Sequence, residues 1–295
     1  MSPSNVLKLI ALGAIWGSSF LFMRIAAPVL GPVLLITLRV LFGAGFLLVV
    51  AMVQKKSLDI RAHWKHFLIL GLLNTALPFT LFACGAETLP ASLLSILNAT
   101  APIFGAVVMA IWTRTWMSWK SVIGLVLGVT GVSVLAGLDG APLSKAQIVA
   151  MAAGLAAGLC YGLASAYAKQ AKSVDAFSNA HGSLWAACLW MGPLAPFFPM
   201  ASTPTAVVVV AVIALGVMCS GVAYLLYFNL IDEIGVGPAL SVGFLIPFFG
   251  VLWGHLFLHE AVTWRTLVGG PIVLVGMALI TGFNPMSLMR RRAPA

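Results

Sequence analysis

Long apolar runs, interrupted by short polar or turn-rich stretches, dominate the chain from its second turn to its last dozen residues. They predict ten helical spans, over 6–27, 33–53, 67–86, 90–111, 120–138, 147–168, 178–199, 206–229, 236–258 and 263–283. A helix needs roughly 20 apolar residues to cross a hydrocarbon core of about 30 Å, and each run is close to that length. Glycines recur at helical spacing inside the runs, as in Gly13/Gly17, Gly124/Gly128 and Gly154/Gly158/Gly162. That pattern argues for packed helices and against a barrel of short alternating strands. The first run follows Lys8 and ends near Ala26-Ala27, in the manner of a secretory signal. Its length, and its counterpart at 147–168, point instead to a span.

The pattern repeats at an offset of 145 residues. Gly13, Gly17 and Gly71 correspond to Gly158, Gly162 and Gly216, and Arg24 to Lys169. Pro102, Phe104 and Gly105 correspond to Pro247, Phe249 and Gly250; Trp119-Lys120 corresponds to Trp264-Arg265; Gly124, Gly131 and Gly137 correspond to Gly269, Gly276 and Gly282. The expected units are residues 1–145 and 146–295, joined by a turn-rich linker near Asp139–Ser144. Five spans per unit place the second copy upside down relative to the first. Two inverted copies around a midplane site are the architecture of a secondary transporter. The fold class expected is therefore an all-α membrane protein: ten transmembrane helices in two inverted five-helix repeats around a central cavity.

Composition agrees. Hydrophobic residues make up 61% of the chain and charged residues 8%, against roughly 45–50% and 25% in soluble domains. The net charge of +9 reads as a topology signal. With both termini inside, 12 of the 16 Lys and Arg fall on inner segments: Lys8, Lys55, Lys56, Arg61, Lys65, Arg114, Lys120, Lys169, Lys172, Arg290, Arg291 and Arg292. This satisfies the positive-inside rule and removes any need for a nucleic-acid partner. The inner loop bearing Asp232 and Glu233, without Lys or Arg, runs against it. The expected location is a bacterial-type inner membrane, with both termini cytoplasmic. The four cysteines, Cys84, Cys160, Cys188 and Cys219, have no metal-ligand spacing and read as apolar free thiols. No metal or cofactor is called for.

Candidate chemistry lies at mid-span. Trp16 and its mate Tyr161 sit near the middle of the first and sixth spans. They read either as interhelical hydrogen-bond glue or as cavity wall, and the pseudo-twofold relation favours the wall. Pro102 and Pro247 sit at mid-span and free the carbonyls of Asn98 and Gly243. They read as hinges, with Gly243 beside them. Asn74 and Phe79, matched by Cys219 and Tyr224, add small polar and aromatic groups at the same depth, as do Ser19, Asn98 and Phe244. Arg24 and Arg39 read as positive charge toward the outer side, either snorkelling to structural partners or steering a substrate carboxylate. The seven acidic residues all fall in loops or at span ends. That disfavours proton-driven export of cations, which needs a mid-membrane carboxylate. His181 and His255 are the remaining titrating candidates near the spans, and each reads first as structural.

Trp16-Gly-Ser-Ser-Phe20, Leu38-Arg39, Ala101-Pro102 and Glu260 to Trp264 before a glycine-rich last span resemble the EamA-type drug/metabolite transporter superfamily over nearly the whole chain. The resemblance implies ten helices in two inverted repeats and export of small metabolites. Within the superfamily the chain is most similar to YddG-type amino acid exporters. It departs from the family at Thr115, where an acidic residue is usual and the second copy keeps Glu260.

The function expected is an alternating-access exporter of small metabolites, amino acids with apolar or aromatic side chains. Its partners would be an amino acid-like small molecule and the lipid bilayer, with the chain a monomer or weak homodimer. A carrier of sugar phosphates or nucleotide sugars would need several midplane cations. A drug carrier or a non-transporting membrane receptor would have the same composition; the receptor predicts a packed centre without a cavity. An intramembrane enzyme would need a nucleophile with a base, or metal ligands, and no such motif occurs.

Overall fold

The computed structural model describes residues 1–56, 60–137, 144–171 and 174–283. Of the expected linker only Ser144 lies within them; Asp59, Lys172 and Arg290 to Arg292 lie outside. The apolar runs form helices, and small polar residues start several of them. Helix α1, Pro3–Leu30, opens with Ser2 accepting the Asn5 N–H and Pro3 in its first turn. A sharp turn at Gly31 (φ 72°), open to glycine at little cost, leads into α2, Pro32–Val53. Then come α3, Ile60–Ala86; α4, Ala91–Thr113; α5, Trp119–Ala136; and α6, Lys145–Gln170. Helix α6 starts on a reciprocal cap between Ser144 and Gln147. The rest are α7, Ala176–Met191; α8, Ala206–Ile234; α9, Val236–Leu258; and α10, Trp264–Thr281.

Among the described residues, nine of these helices are long and apolar enough to cross a membrane. The exception is α7. The apolar run predicts a span over 178–199, but the helix begins at Ala176 on an Asp175 cap and stops at Met191. Pro193 and Pro196 lack the N–H that would continue it, and the chain passes into a turn and a single 3₁₀ turn at Ala195–Phe197. Sixteen residues rise only about 24 Å.

Four backbone features recur at the 145-residue offset. A π-helical segment interrupts α3 at Gly71–Ala76, and another interrupts α8 at Met218–Val222, overlapping the equivalent positions. Arg114 and His259, which end α4 and α9, are both left-handed, at φ 53° and 55°. Gly137 and Gly282 end α5 and α10 at φ 69° and 65°. Ser118 and Thr263 cap α5 and α10 through their side chains.

The breaks inside α4 and α9 do not recur. Helix α4 divides into Ala91–Asn98 and Ala101–Thr113, so Pro102 sits in the first turn of a new segment instead of kinking a continuous helix. Helix α9 divides after Val236–Ala239, leaving Pro247 inside the segment Val242–Leu258. The two prolines expected as hinges therefore stand in different backbone settings. Proline is tolerated in a first turn because the N–H there has no intrahelical acceptor.

Close glycine contacts set the helix directions. Gly13 and Gly17 of α1 meet Leu245 and Phe249 of α9 in the same order, so these helices run parallel. Gly154 and Gly162 of α6 meet Leu97 and Gly105 of α4, again in parallel. Helix α5 lies antiparallel to α10. A Cβ on either Gly124 or Gly276 would fall 2.6 Å from the other's carbonyl oxygen, and one on Gly131 or Gly269 would fall 2.9 Å from its partner's. The glycines of α5 therefore serve packing within the protomer. Lys8 of α1 holds Glu233 of α8 at 2.7 Å and Asn229 at 2.6 Å. The acidic loop that runs against the charge rule is thus paired with a basic residue at the same end of the bundle.

Candidate functional site

The middle of α1 opens onto a cavity. A cavity of about 890 Å³ lies at the centre of the bundle, lined from both halves of the chain. Helix α1 contributes Trp16 and Ser19, α3 contributes Asn74 and Phe79, and α4 contributes Asn98. Tyr161 of α6, Tyr224 of α8 and Phe244 of α9 face the same space. All eight residues singled out as cavity wall are brought together here. Of the three hinge residues, Pro102 and Gly243 also line the cavity; Pro247 does not.

The aromatic side chains are arranged in pairs. Trp16 meets Tyr224 edge-on, with ring centroids 6.2 Å apart, and Tyr227 at 5.3 Å. On the other side Tyr161 stacks on Phe82 at 6.4 Å, and Phe82 is the residue 145 positions before Tyr227. Trp16 combines both roles open to it. Its Nε1 donates to the Cys219 carbonyl at 3.2 Å, and its ring remains part of the wall. The acceptor lies in the π-helical segment of α8, where the helical hydrogen-bond ladder is irregular and a carbonyl is open to an outside donor. The Cys219 thiol turns to the Ile15 carbonyl at 3.2 Å, so it is satisfied locally.

Phe82 and Tyr227 were not among the expected wall residues, nor were Phe20, Met23 and Ser165. A signal for the first two was present: each lies three residues beyond an expected wall residue and so on the same helix face, and the two are offset mates. Ser241, Thr281 and Phe283 extend the wall to the end of the bundle where α9 begins and α10 terminates. Nothing in their spacing marks them.

The two arginines separate. Arg24 donates through Nη1 to the carbonyls of Ala86 and Glu87, at 2.8 and 2.9 Å, and so caps the last turn of α3. It lines a smaller space of about 380 Å³ at the opposite end of the bundle, together with Glu260. Arg39 is not part of that smaller space. It is 4% exposed and lines the central cavity. Its Nε donates to Ser220 Oγ at 2.9 Å, and its guanidinium carbon lies 3.5 Å from the centre of the Phe79 ring.

The histidines lie outside the cavity lining. Trp185 donates to His181 Nε2 at 2.9 Å within α7, and His255 Nδ1 is 3.0 Å from the Glu260 carbonyl near the end of α9. Among the described residues no group of three or more His, Cys, Asp or Glu is placed to hold a metal ion.

Membrane-crossing helices around a central cavity with aromatic walls define a multi-span carrier-type membrane protein. The chain belongs to the EamA-like transporter family, whose sequence model matches it twice, over residues 4–137 and 148–282. It is similar to the uncharacterized transporter YvbV of Bacillus subtilis, 26% identical over 288 residues that cover 94% of this chain and 91% of that protein. It is 24% identical to the uncharacterized transporter YoaV of the same organism, covering 97% and 98% of the two chains. A probable terminal-alkyne amino-acid exporter of Streptantibioticus cattleyicolor is 24% identical over 211 residues, 70% of this chain and 69% of that protein. A solved crystal structure superposes over 95% of this chain and 96% of its own with a TM-score of 0.63 and 18% identity, so the fold is shared. The family and these relatives are transporters, not enzymes.

Proposed function

We propose that the protein is an alternating-access exporter of small metabolites in a bacterial inner membrane, with amino acids bearing apolar or aromatic side chains as its substrates. The observation that carries this reading is the central cavity. It is large enough for a single small ligand and joins five aromatic residues to Ser19, Asn74 and Asn98. The amino-acid exporter among the relatives supports the substrate class. A non-transporting receptor would need no such cavity, and a sugar-phosphate carrier would need more than the one cation that lines it.

The proposed architecture is ten spans in two inverted repeats, residues 1–145 and 146–295. Helix directions support it. Helices α1 and α9 run parallel while α5 and α10 run antiparallel. With the other nine helices crossing, both relations fit an α7 that also crosses despite its length; a non-crossing α7 would reverse each of them. A short span is accommodated by local bilayer thinning. The exchanged contacts of Gly124 with Gly276 and Gly131 with Gly269 fit a pseudo-twofold axis in the membrane plane and so support the inverted repeat. With the termini cytoplasmic, the cavity reaches the inner face through Ser241, Thr281 and Phe283. The glycine seam of α5, being used internally, supports a monomer.

Uptake of a panel of radiolabelled amino acids into proteoliposomes tests the reading. Phenylalanine, tryptophan, leucine and methionine are expected to enter, and Trp16→Ala is expected to slow them by about tenfold or more, the scale of losing one buried aromatic contact. A protein that moves none of the amino acids would sink the substrate class. In intact cells a membrane-impermeant thiol reagent is expected to reach a cysteine at Ser144 and to miss one at Lys56; the reverse would overturn the orientation.

A further inference from the structure

The central cavity carries one charge. Arg39 is the only charged residue among the described residues that line it, and no carboxylate lines it. With 4% of its surface exposed, its side chain is held almost wholly inside the protein. A guanidinium has five N–H donors. The protein meets them with the Ser220 hydroxyl at 2.9 Å and the Met23 thioether at 3.9 Å, a weak acceptor, while Phe79 covers one face at 3.5 Å. Among the described residues no acidic side chain pairs with Arg39; the Lys8–Glu233 ion pair lies at the end of the bundle. A buried cation without a counter-charge is costly. A planar fork held against a ring, with donors left over and turned to a cavity, is the geometry that receives a carboxylate in two parallel hydrogen bonds.

We infer that Arg39 is the counter-charge for the transported molecule, and that the cavity selects amphipathic organic carboxylates. The carboxylate sits on the guanidinium beside Ser220, and the aromatic or alkyl body lies against Trp16, Tyr161 and Tyr224. This rests on the reading of the cavity as the transport site and narrows its substrate class. An ammonium group finds no carboxylate partner in the lining and feels the Arg39 charge as repulsion; only aromatic faces and neutral oxygens, such as those of Asn74, Asn98 and the lining hydroxyls, attract it. The expected order is therefore simple carboxylate first, zwitterion second, and amine last.

A matched series tests it: 3-phenylpropionate, phenylalanine and phenethylamine share one ring and one chain length and differ in charge. Binding to the full chain in lipid nanodiscs is measured by calorimetry, and uptake is measured in proteoliposomes. The wild-type protein is expected to bind 3-phenylpropionate at least about tenfold more tightly than phenethylamine, with phenylalanine between them. Arg39→Gln is expected to bring the three within about threefold of one another, and Arg39→Lys, which keeps charge but loses the fork, to restore part of the order. If Arg39→Gln fails to fold, the wild-type order and the Arg39→Lys shift decide. Phenethylamine binding as tightly as 3-phenylpropionate, no binding of the carboxylate, or an order unchanged by either variant would overturn the inference. Uptake of phenethylamine with the order reversed would keep the transport reading and discard the anion site. Arg39-dependent carboxylate binding without uptake of any compound would do the opposite.

Discussion

Glu260 caps a helix it does not belong to. Its Oε1 accepts the Ala91 N–H at 2.6 Å and its Oε2 the Ser92 N–H at 3.0 Å, so the turn between α9 and α10 is tied to the start of α4. A carboxylate at a helix N-terminus satisfies free N–H groups and meets the positive end of the helix dipole. The equivalent contact at the other end of the bundle is missing. The residue 145 positions earlier is Thr115, whose hydroxyl pairs with that of Thr113 at 2.6 Å. The start of α9 at Val236 has no side-chain cap. The contact is thus made at the end the cavity lining does not reach, and not at the end it does.

Glu260→Ala is expected to cost about 1–3 kcal/mol, the range for charged hydrogen bonds and helix caps. It should also raise the labelling rate of a cysteine placed at Thr88, in the small space beside Glu260. Thr115→Glu is expected to act in the opposite sense, slowing entry of a thiol reagent to a cysteine at Ser241. Unchanged labelling in both variants would show that the contact is a local cap and does not hold that end closed.

Pro102→Ala is expected to leave the protein folded and to slow proteoliposome uptake, because alanine favours joining Ala91–Asn98 to Ala101–Thr113 into one stiff helix beside the cavity. Pro247→Ala, inside a continuous segment and outside the cavity lining, is expected to have the smaller effect. Equal rates in wild type and Pro102→Ala would show that the break is architectural only.

Gly124→Val is expected to lower thermal stability in detergent by about 1–3 kcal/mol, the range for overpacking, since its new Cβ meets the Gly276 backbone at 2.6 Å. Gly45→Val supplies the control. Nothing lies within 4 Å of a Cβ at Gly45, so its melting temperature should stay within a few degrees of wild type.

Uptake is expected without any imposed ion gradient, and a pH gradient is not expected to drive accumulation above equilibrium. Coupling needs a group whose protonation changes as the protein alternates. The two histidines near the spans lie outside the cavity lining and hold local partners. Uphill accumulation on acidifying one side, lost in His255→Ala or His181→Ala, would make the protein a proton-coupled antiporter.

The sequence carried the helical class and much of the cavity wall because both follow from periodicity. Apolar runs near 20 residues fit little besides membrane helices, and the 145-residue offset turns a weak signal at Trp16 or Phe79 into a pair. The remainder depended on reach and on local breaks. Arg39 reads as an outer charge by its place along α2, but its long side chain extends across to Ser220 of another helix. Pro102 reads as a kink, yet the break falls at the residues before it, where Thr100 accepts from Ile103 and Phe104 and starts a new segment. The stop of α7 at Met191 is written in Gly192, Pro193 and Pro196, inside a run whose hydrophobicity alone argues for continuation.

The two π-helical segments act as phase shifts. A π turn takes in one residue more than an α turn, and one residue corresponds to about 100° of rotation around a helix. Phe79 and Phe82 follow the segment in α3, and Tyr224 and Tyr227 follow the one in α8. Deleting one residue from either segment would leave the helix its length in the membrane to within about 1.5 Å. It would, however, swing those aromatic pairs around the helix axis and away from the cavity they now share. The register of these four aromatic wall residues is thus set by a single surplus residue in each helix.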